Sequence, residues 1–383
     1  MKAKNIYGEN INVIKSKFLK AVEDARLPDG QGFSPTIAIV FCSITQDRKA
    51  LIDFFNEKKV DVFGATTAGE IIDDEVMEHS TVIMLLDMKK ENYKIFCEAS
   101  EDTYKISNDL ALFAKAAFTD PSIIVVSSGL TIDAELIIKG VQDADAKIPL
   151  YGGLAGDDLT MKASYVFSNN YETSTGLIAL VLNNEKINVK GLATSGWDNI
   201  GIEKTITKSV GNVVYSIDDE PAVDVFVKYF QFTESVDNKA EIIAANFAQY
   251  PLQLKKQNGN VVLRAPMMVD IESRALIFAG GIPQGSKVKF SVPPGFDLIE
   301  KTADRVSVLK KSIADPDAVL MFSCKARHIA LGPMTEDEAG KIRSIWNKPL
   351  IGFFTYGEIG TAKDSICDFH NETCSMVILE EKK

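Results

Sequence analysis

Three stretches of this chain end an apolar run on a hydroxyl or a thiol. Each then reaches a second apolar run that closes on glycine, followed by a glycine–acid pair. Thr36 to Ser43 leads to Val62-Phe63-Gly64 and then Gly69-Glu70. Ser122 to Ser128 leads to Leu150-Tyr151-Gly152 and then Gly156-Asp157. Ala318 to Cys324 leads to Leu350-Ile351-Gly352 and then Gly357-Glu358. Ser43, Ser128 and Cys324 thus offer a polar atom at a strand end, and Glu70, Asp157 and Glu358 offer a carboxylate beside pliant backbone. If the acids converge they suit an ammonium group or an ordered polar network; if they stay apart they cap backbone amides.

Other residues add chemistry at the same places. Cys324-Lys325-Ala326-Arg327-His328 sets a thiol, a guanidinium and an imidazole close together. The Arg327 fork matches a carboxylate, and His328 or His370 beside Cys324 could activate it as a nucleophile. The competing reading of Cys324 is an inert core thiol. Phe369-His370-Asn371-Glu372-Thr373 puts hydrogen-bonding groups just before the last strand. With three histidines in all, His79, His328 and His370, a multi-histidine metal site is not expected; one axial ligand to haem iron is the remaining metal chemistry. Gly152-Gly153-Leu154-Ala155-Gly156 has the glycines of a phosphate loop. It is followed by Asp157-Asp158 rather than a helix start, so the glycines read as turn residues. Trp197, between Gly196 and Gly201, either walls a pocket or anchors its loop.

The positioning elements follow from periodicity. Ile11 to Ala25 has helical spacing, and Leu27-Pro28-Asp29-Gly30 stops it. Ser43-x-x-Gln46 and Thr335-x-x-Glu338 read as capping boxes opening helices. Thr81 to Met88 with Tyr93 to Ala99, and Gly176 to Leu182 with Ile187 to Thr194, read as hairpins. The second and third copies also share Asp120-Pro121 with Asp315-Pro316, and Pro149-Leu150 with Pro349-Leu350. The unit repeats over about 80 residues. The expected fold is α/β, with mixed sheets, flanking helices, internally duplicated β-α-β units and β-hairpins. Ligands of such sheets bind at the carboxyl ends of the strands. The expected division is a helix within residues 1–29 packed on a first domain at 30–218, and a second domain at 221–380.

The bulk properties remove several classes. A net charge of −11 with no basic cluster argues against a nucleic-acid surface. The longest apolar stretches are strand-sized, which argues against a membrane span. The N-terminal residues lack the apolar core of a secretory signal. Five cysteines without a C-x-x-C pair suit a reducing, cytoplasmic setting.

Taken in order, the quoted segments resemble the FIST family. Gly64-x-Thr66-Thr67-Ala68-Gly69-Glu70, Gly152 to Asp157, Gly196-Trp197 with Ile200-Gly201, and Thr207-Lys208 are similar to its N-terminal region. Pro221-Ala222, Phe322-Ser323-Cys324 with Arg327, Gly352 to Glu358 including Tyr356, and His370-Asn371-x-Thr373 are similar to its C-terminal region. The resemblance spans about residues 30 to 380 and implies a non-enzymatic sensory module for a small polar ligand, with amino acids proposed for the family. It implies signalling through a partner such as a histidine kinase, a chemoreceptor or a cyclic-di-GMP enzyme. The candidate ligand set is Ser43, Thr66, Glu70, Ser128, Asp157, Cys324, Arg327, Tyr356, Glu358, His370 and Asn371. Arg327 would take a carboxylate, while Glu70, Asp157 or Glu358 would take an amine. The ligand would bridge the strand ends of the duplicated halves. No cofactor is expected; the variant is haem b in a nitric-oxide sensor, with His370 or His328 as axial ligand ahead of Cys324 or Cys367. A hydrolase-like enzyme using Cys324 is the second alternative.

Overall fold

The computed structural model describes residues 1–23, 32–231, 247, 249–256, 259–292, 295, 297–362 and 366–382. The stop at Leu27 to Gly30 lies outside the described residues. The repeat is longer than the sequence phrase and occurs in full three times. Its first copy begins with a strand, Lys2–Gly8, ahead of the helix Ile11–Glu23. It continues through strand Ile37–Cys42, helix Arg48–Lys58, strand Asp61–Thr66, the small hairpin Glu70–Ile72 with Glu75–Met77, and strand Thr81–Asp87. The second copy runs in the same order from Tyr93–Ala99 to Gly176–Asn183. The third runs from Ile187–Thr194 to Cys374–Glu381, but is split after its first strand by an insert.

Each copy builds a six-stranded sheet with a shared plan. Two parallel strands lie at its middle, with registers Val40↔Gly64, Val125↔Gly152 and Met321↔Gly352. Glycine is required at two of these matched positions. A Cβ at Gly152 would stand 1.8 Å from the Val125 carbonyl oxygen, and one at Gly352 would stand 2.2 Å from that of Met321. The glycines serve close strand packing, not phosphate.

The small hairpins are exchanged between copies. The first copy's Glu70–Ile72 pairs with the third copy's Ile351 to Phe353. The third copy's Glu358 and Ile359 pair with Gly153 and Gly152 of the second. The second copy's Val166 and Phe167 pair with Ala65 and Gly64 of the first. Three sheets therefore close into a ring around one apolar centre containing Phe41, Phe63, Ile124, Leu180, Phe322 and Phe353. Phe353 stands 4.6 Å from Phe41 and 5.6 Å from Phe322, centroid to centroid. Helices cover each outer face, through Ile14, Phe18, Phe54 and Phe55 on the first sheet. Ile106, Leu110, Ile137 and Val141 do so on the second, and Val306, Ala339 and Ile342 on the third.

Two expected hairpins are overturned by this ring. Thr81–Asp87 pairs with strands of the first sheet, whereas Tyr93–Ala99 pairs with Gly176–Asn183 in the second. Gly176–Asn183 and Ile187–Thr194 likewise part into different sheets. Each polar turn forms a corner of the ring, so the chain leaves one sheet and enters the next. Sequence periodicity marks such strands but not their partners.

The insert, from Asn199–Val210 to Lys287–Ser291 with helix Ala222–Phe230, forms an eight-stranded antiparallel sheet around Phe226, Phe278 and Phe290. The division expected at 218–221 runs through it, since Ser216 and Ile217 pair with Pro221 and Glu220.

Candidate functional site

The three copies meet where their parallel strands end. There the backbone makes a closed set of bonds: Ala68 N–H donates to the Phe354 carbonyl at 3.0 Å, Tyr356 to Leu154 at 3.1 Å, and Gly156 to Thr66 at 3.0 Å. Ser43, Ser128 and Cys324 occupy matched places, their N–H groups donating to the carbonyls of Ser80, Gly176 and Thr373.

The recurring acids are satisfied within the fold rather than gathered on one pocket. Glu70 is fully buried and accepts from Thr67, from the Ser80 amide at 3.1 Å and from the Ser80 hydroxyl at 2.8 Å. Glu358 repeats this arrangement, accepting from Thr355, from the Thr373 amide at 3.4 Å and from its hydroxyl at 2.7 Å. Burial raises their pKa values to about 7 and about 8. In the second copy Ala155 and Gly176 stand where these hydroxyl donors would be, and the acid has another role. Asp157 ties down its own loop, accepting from Thr160 Oγ1 at 2.7 Å, from the amides of Lys162 and Met161 at 2.7 and 3.1 Å, and from the Tyr356 hydroxyl. Burial opposes its ionisation, but hydrogen bonds from Tyr356, Thr160 and the loop outweigh it and lower its pKa.

The strand-end hydroxyls are also engaged. Ser43 donates to Asp158 at 2.6 Å, Ser128 accepts from Thr131 at 3.0 Å, and Thr66 donates to the Gly156 carbonyl at 2.7 Å.

Arg327 is not free to take a ligand carboxylate. It is fully buried, with Nε within 3.0 and 3.2 Å of the two Glu338 oxygens. Its remaining donors reach Glu338 again, Thr302 Oγ1 at 2.8 Å, and the carbonyls of Ser195 and Glu372 at 2.5 and 3.2 Å. All five N–H groups are used. Glu338, read as a capping residue, is instead the counter-ion of Arg327 and lies inside helix Thr335–Ser344.

Cys324 packs against Ala265 of the insert and Ala326. Burial, with Glu358 and Glu372 nearby, pushes its thiol pKa well up. A neutral thiol is a poor nucleophile, which speaks against the hydrolase-like alternative.

The histidines do not fit an axial haem role as they stand. His370 is buried, its Nε2 lies 3.2 Å from the Gly360 carbonyl, and burial lowers its pKa to about 4. His328 stacks on Phe354 at 4.0 Å with Nδ1 3.0 Å from Lys325 Nζ, and its pKa too is lowered to about 4, first by burial. The thiol of Cys367 lies 3.4 Å from the Leu150 carbonyl. Among the described residues no cluster of His, Cys, Asp or Glu is arranged to hold a metal ion, and no helix is long and apolar enough to cross a membrane.

What the sequence reading passed over is Glu372, the unspecified position of His370-Asn371-x-Thr373. Its carboxylate is fully buried, and among the described residues neither oxygen has a hydrogen-bond partner. Burial raises its pKa well above the carboxylate range; Glu358 adds to this and Arg327 opposes it. Asn371 donates Nδ2 to the His370 carbonyl at 3.1 Å but leaves Oδ1 unpartnered, and buried Trp197 leaves Nε1 unpartnered. Trp197 both anchors its loop, against Leu263, Leu298 and Leu331, and covers Arg327 at 5.1 Å.

This corner lies against the insert. Buried Arg264 donates to the Phe369 carbonyl at 3.0 Å and to Glu135 at 2.6 Å, and Lys256 and Asn260 hold Asp368 at 2.9 and 2.6 Å.

Residues 36–220 match the FIST N domain and residues 222–361 match the FIST C domain. The chain is also 24% identical over 388 aligned positions to the uncharacterized protein MJ1623 of Methanocaldococcus jannaschii, across 89% of this chain and 73% of that protein. The two domain matches follow one another over most of the sequence, and the protein belongs to the FIST family of sensory and signal-transduction domains.

Proposed function

We propose that this chain is a non-enzymatic sensor whose small polar ligand is taken at the junction between the insert and the third strand end, and whose output passes to a signalling partner. The observation that carries this reading is Glu372, a buried carboxylate with neither oxygen satisfied among the described residues. Buried polar groups in native structures nearly always have partners, so a carboxylate that lacks them calls for a water, an ion or a ligand beside it, and we read it as a ligand. A seam between two packed units is a common location for small-molecule sites. Ligand would bias how the insert sits on the ring, by as much as its affinity differs between the two arrangements. A histidine kinase, a chemoreceptor or a cyclic-di-GMP enzyme would suit as the partner. All five cysteines are unpaired, in keeping with a reducing cytoplasm.

The test is a thermal-shift screen of small polar metabolites on the full chain and on Glu372→Gln. A ligand that raises the melting temperature of the parent and not of the variant supports the reading. A stoichiometric Soret band on haem addition, abolished by His370→Ala, would replace it with a haem sensor.

A further inference from the structure

Resting on that reading, we infer that the ligand is a cation, an ammonium or guanidinium whose N–H groups are accepted by the Glu372 carboxylate. The unpartnered atoms decide the sign. Both unpartnered atoms of Glu372 are acceptors, as is Oδ1 of the neighbouring Asn371. The guanidinium that would receive an anion has no N–H left to give.

Charge balance leads to the same class. Arg327 and Glu338 neutralise each other, with side-chain exposures of 0% and 1%. Arg264 faces Glu135, and Lys256 faces Asp368. Among the described residues Glu358 and Glu372 have no ion pair of their own: the Arg327 charge acts on Glu372, but its N–H groups are committed to other acceptors, and a charge held away from water needs a paired counter-charge. Protonating Glu372 removes the charge but not the problem, because the new O–H still finds no acceptor among the described residues. A bound ammonium supplies the charge and the donors together. Arg327 keeps its bonds throughout and acts as a positioning residue, holding the Glu372 carbonyl at 3.2 Å and the Trp197 ring at 5.1 Å on one guanidinium. Since Glu372 is closed off from solvent, entry requires the packing around it to open.

The experiment compares n-butylammonium and putrescine with butyrate, butanol and alanine, by thermal shift and calorimetry on the full chain. The expected result is a rise of about 4 °C with a saturating amine. Butyrate and butanol should give none, and the rise should be lost in Glu372→Gln, which keeps the unliganded melting temperature. A shift from butyrate or butanol alone, lost in Glu372→Gln, would overturn the cationic class and leave the sensory site standing. An amine shift that survives Glu372→Gln would overturn the site. No shift from any probe, with Glu372→Gln melting higher than the parent, would overturn both.

Discussion

Glu372 and His79 occupy the same turn in two copies of the repeat. Both are left-handed, at φ 56° and 57°, and each precedes the residue, Thr373 or Ser80, that binds the buried glutamate of its copy. The His79 side chain is 68% exposed, whereas Glu372 is fully buried. The difference is the insert, which exists only in the third copy and packs on that corner. The same backbone turn is a solvated tip in one copy and an enclosed polar group in the other.

The pH dependence of stability should carry the signature of the matched pair Glu70 and Glu358. Their folded pKa values, about 7 and about 8, lie above the ordinary 4.5. Their contribution is therefore whole below about pH 4.5 and is lost as pH rises through 7 and 8. Unfolding free energies from urea titrations should fall between pH 5 and 8.5, by of order 3 kcal/mol for each acid. Glu358→Gln should flatten the decline; an unchanged profile in that variant would show that Glu358 ionises freely in the fold.

One chemical change should have unequal effects at two buried acids. Glu338→Gln strands the Arg327 charge and should cost about 3–5 kcal/mol in chemical denaturation. Glu372→Gln removes an acid that has no partner and should cost nothing measurable. Equal losses at both positions would contradict the assignment of Glu338 as the counter-ion.

Cys324 should be slow to alkylate. Iodoacetamide at pH 7.5, followed by mass spectrometry, should modify it on unfolding rather than in the native chain, because its thiol is buried and neutral. Rapid stoichiometric labelling of native Cys324 would bring the enzyme reading back.

The repeat was legible because its signals are local. An apolar run, a turn and a glycine that lets two strands approach leave their mark within a few residues. Partners distant in sequence left none. Nothing around Glu70 announces that its strand pairs with Phe353, and the stretch from Asn199 to Ser291 gives no hint that it interrupts a copy begun at Ile187. Arg327 reads in the sequence as a fork for a ligand carboxylate, yet its partner is Glu338, on the following helix. Glu372 is unremarkable as a sequence letter and gains meaning only from the packing around it.

The exchange of hairpins also bears on how the chain comes to exist. The strand Glu70–Ile72 leaves the ribosome with its partner, Ile351 to Phe353, still unsynthesised. Until then the first copy holds out a strand edge, and the second copy lacks the Glu358–Thr361 strand that borders it. Pairings of such sequence separation form slowly, and exposed edges in the interval invite association with other chains. The first copy thus waits for the residues around Phe353, and a chain cut before them should lose order in the first copy as well as the third.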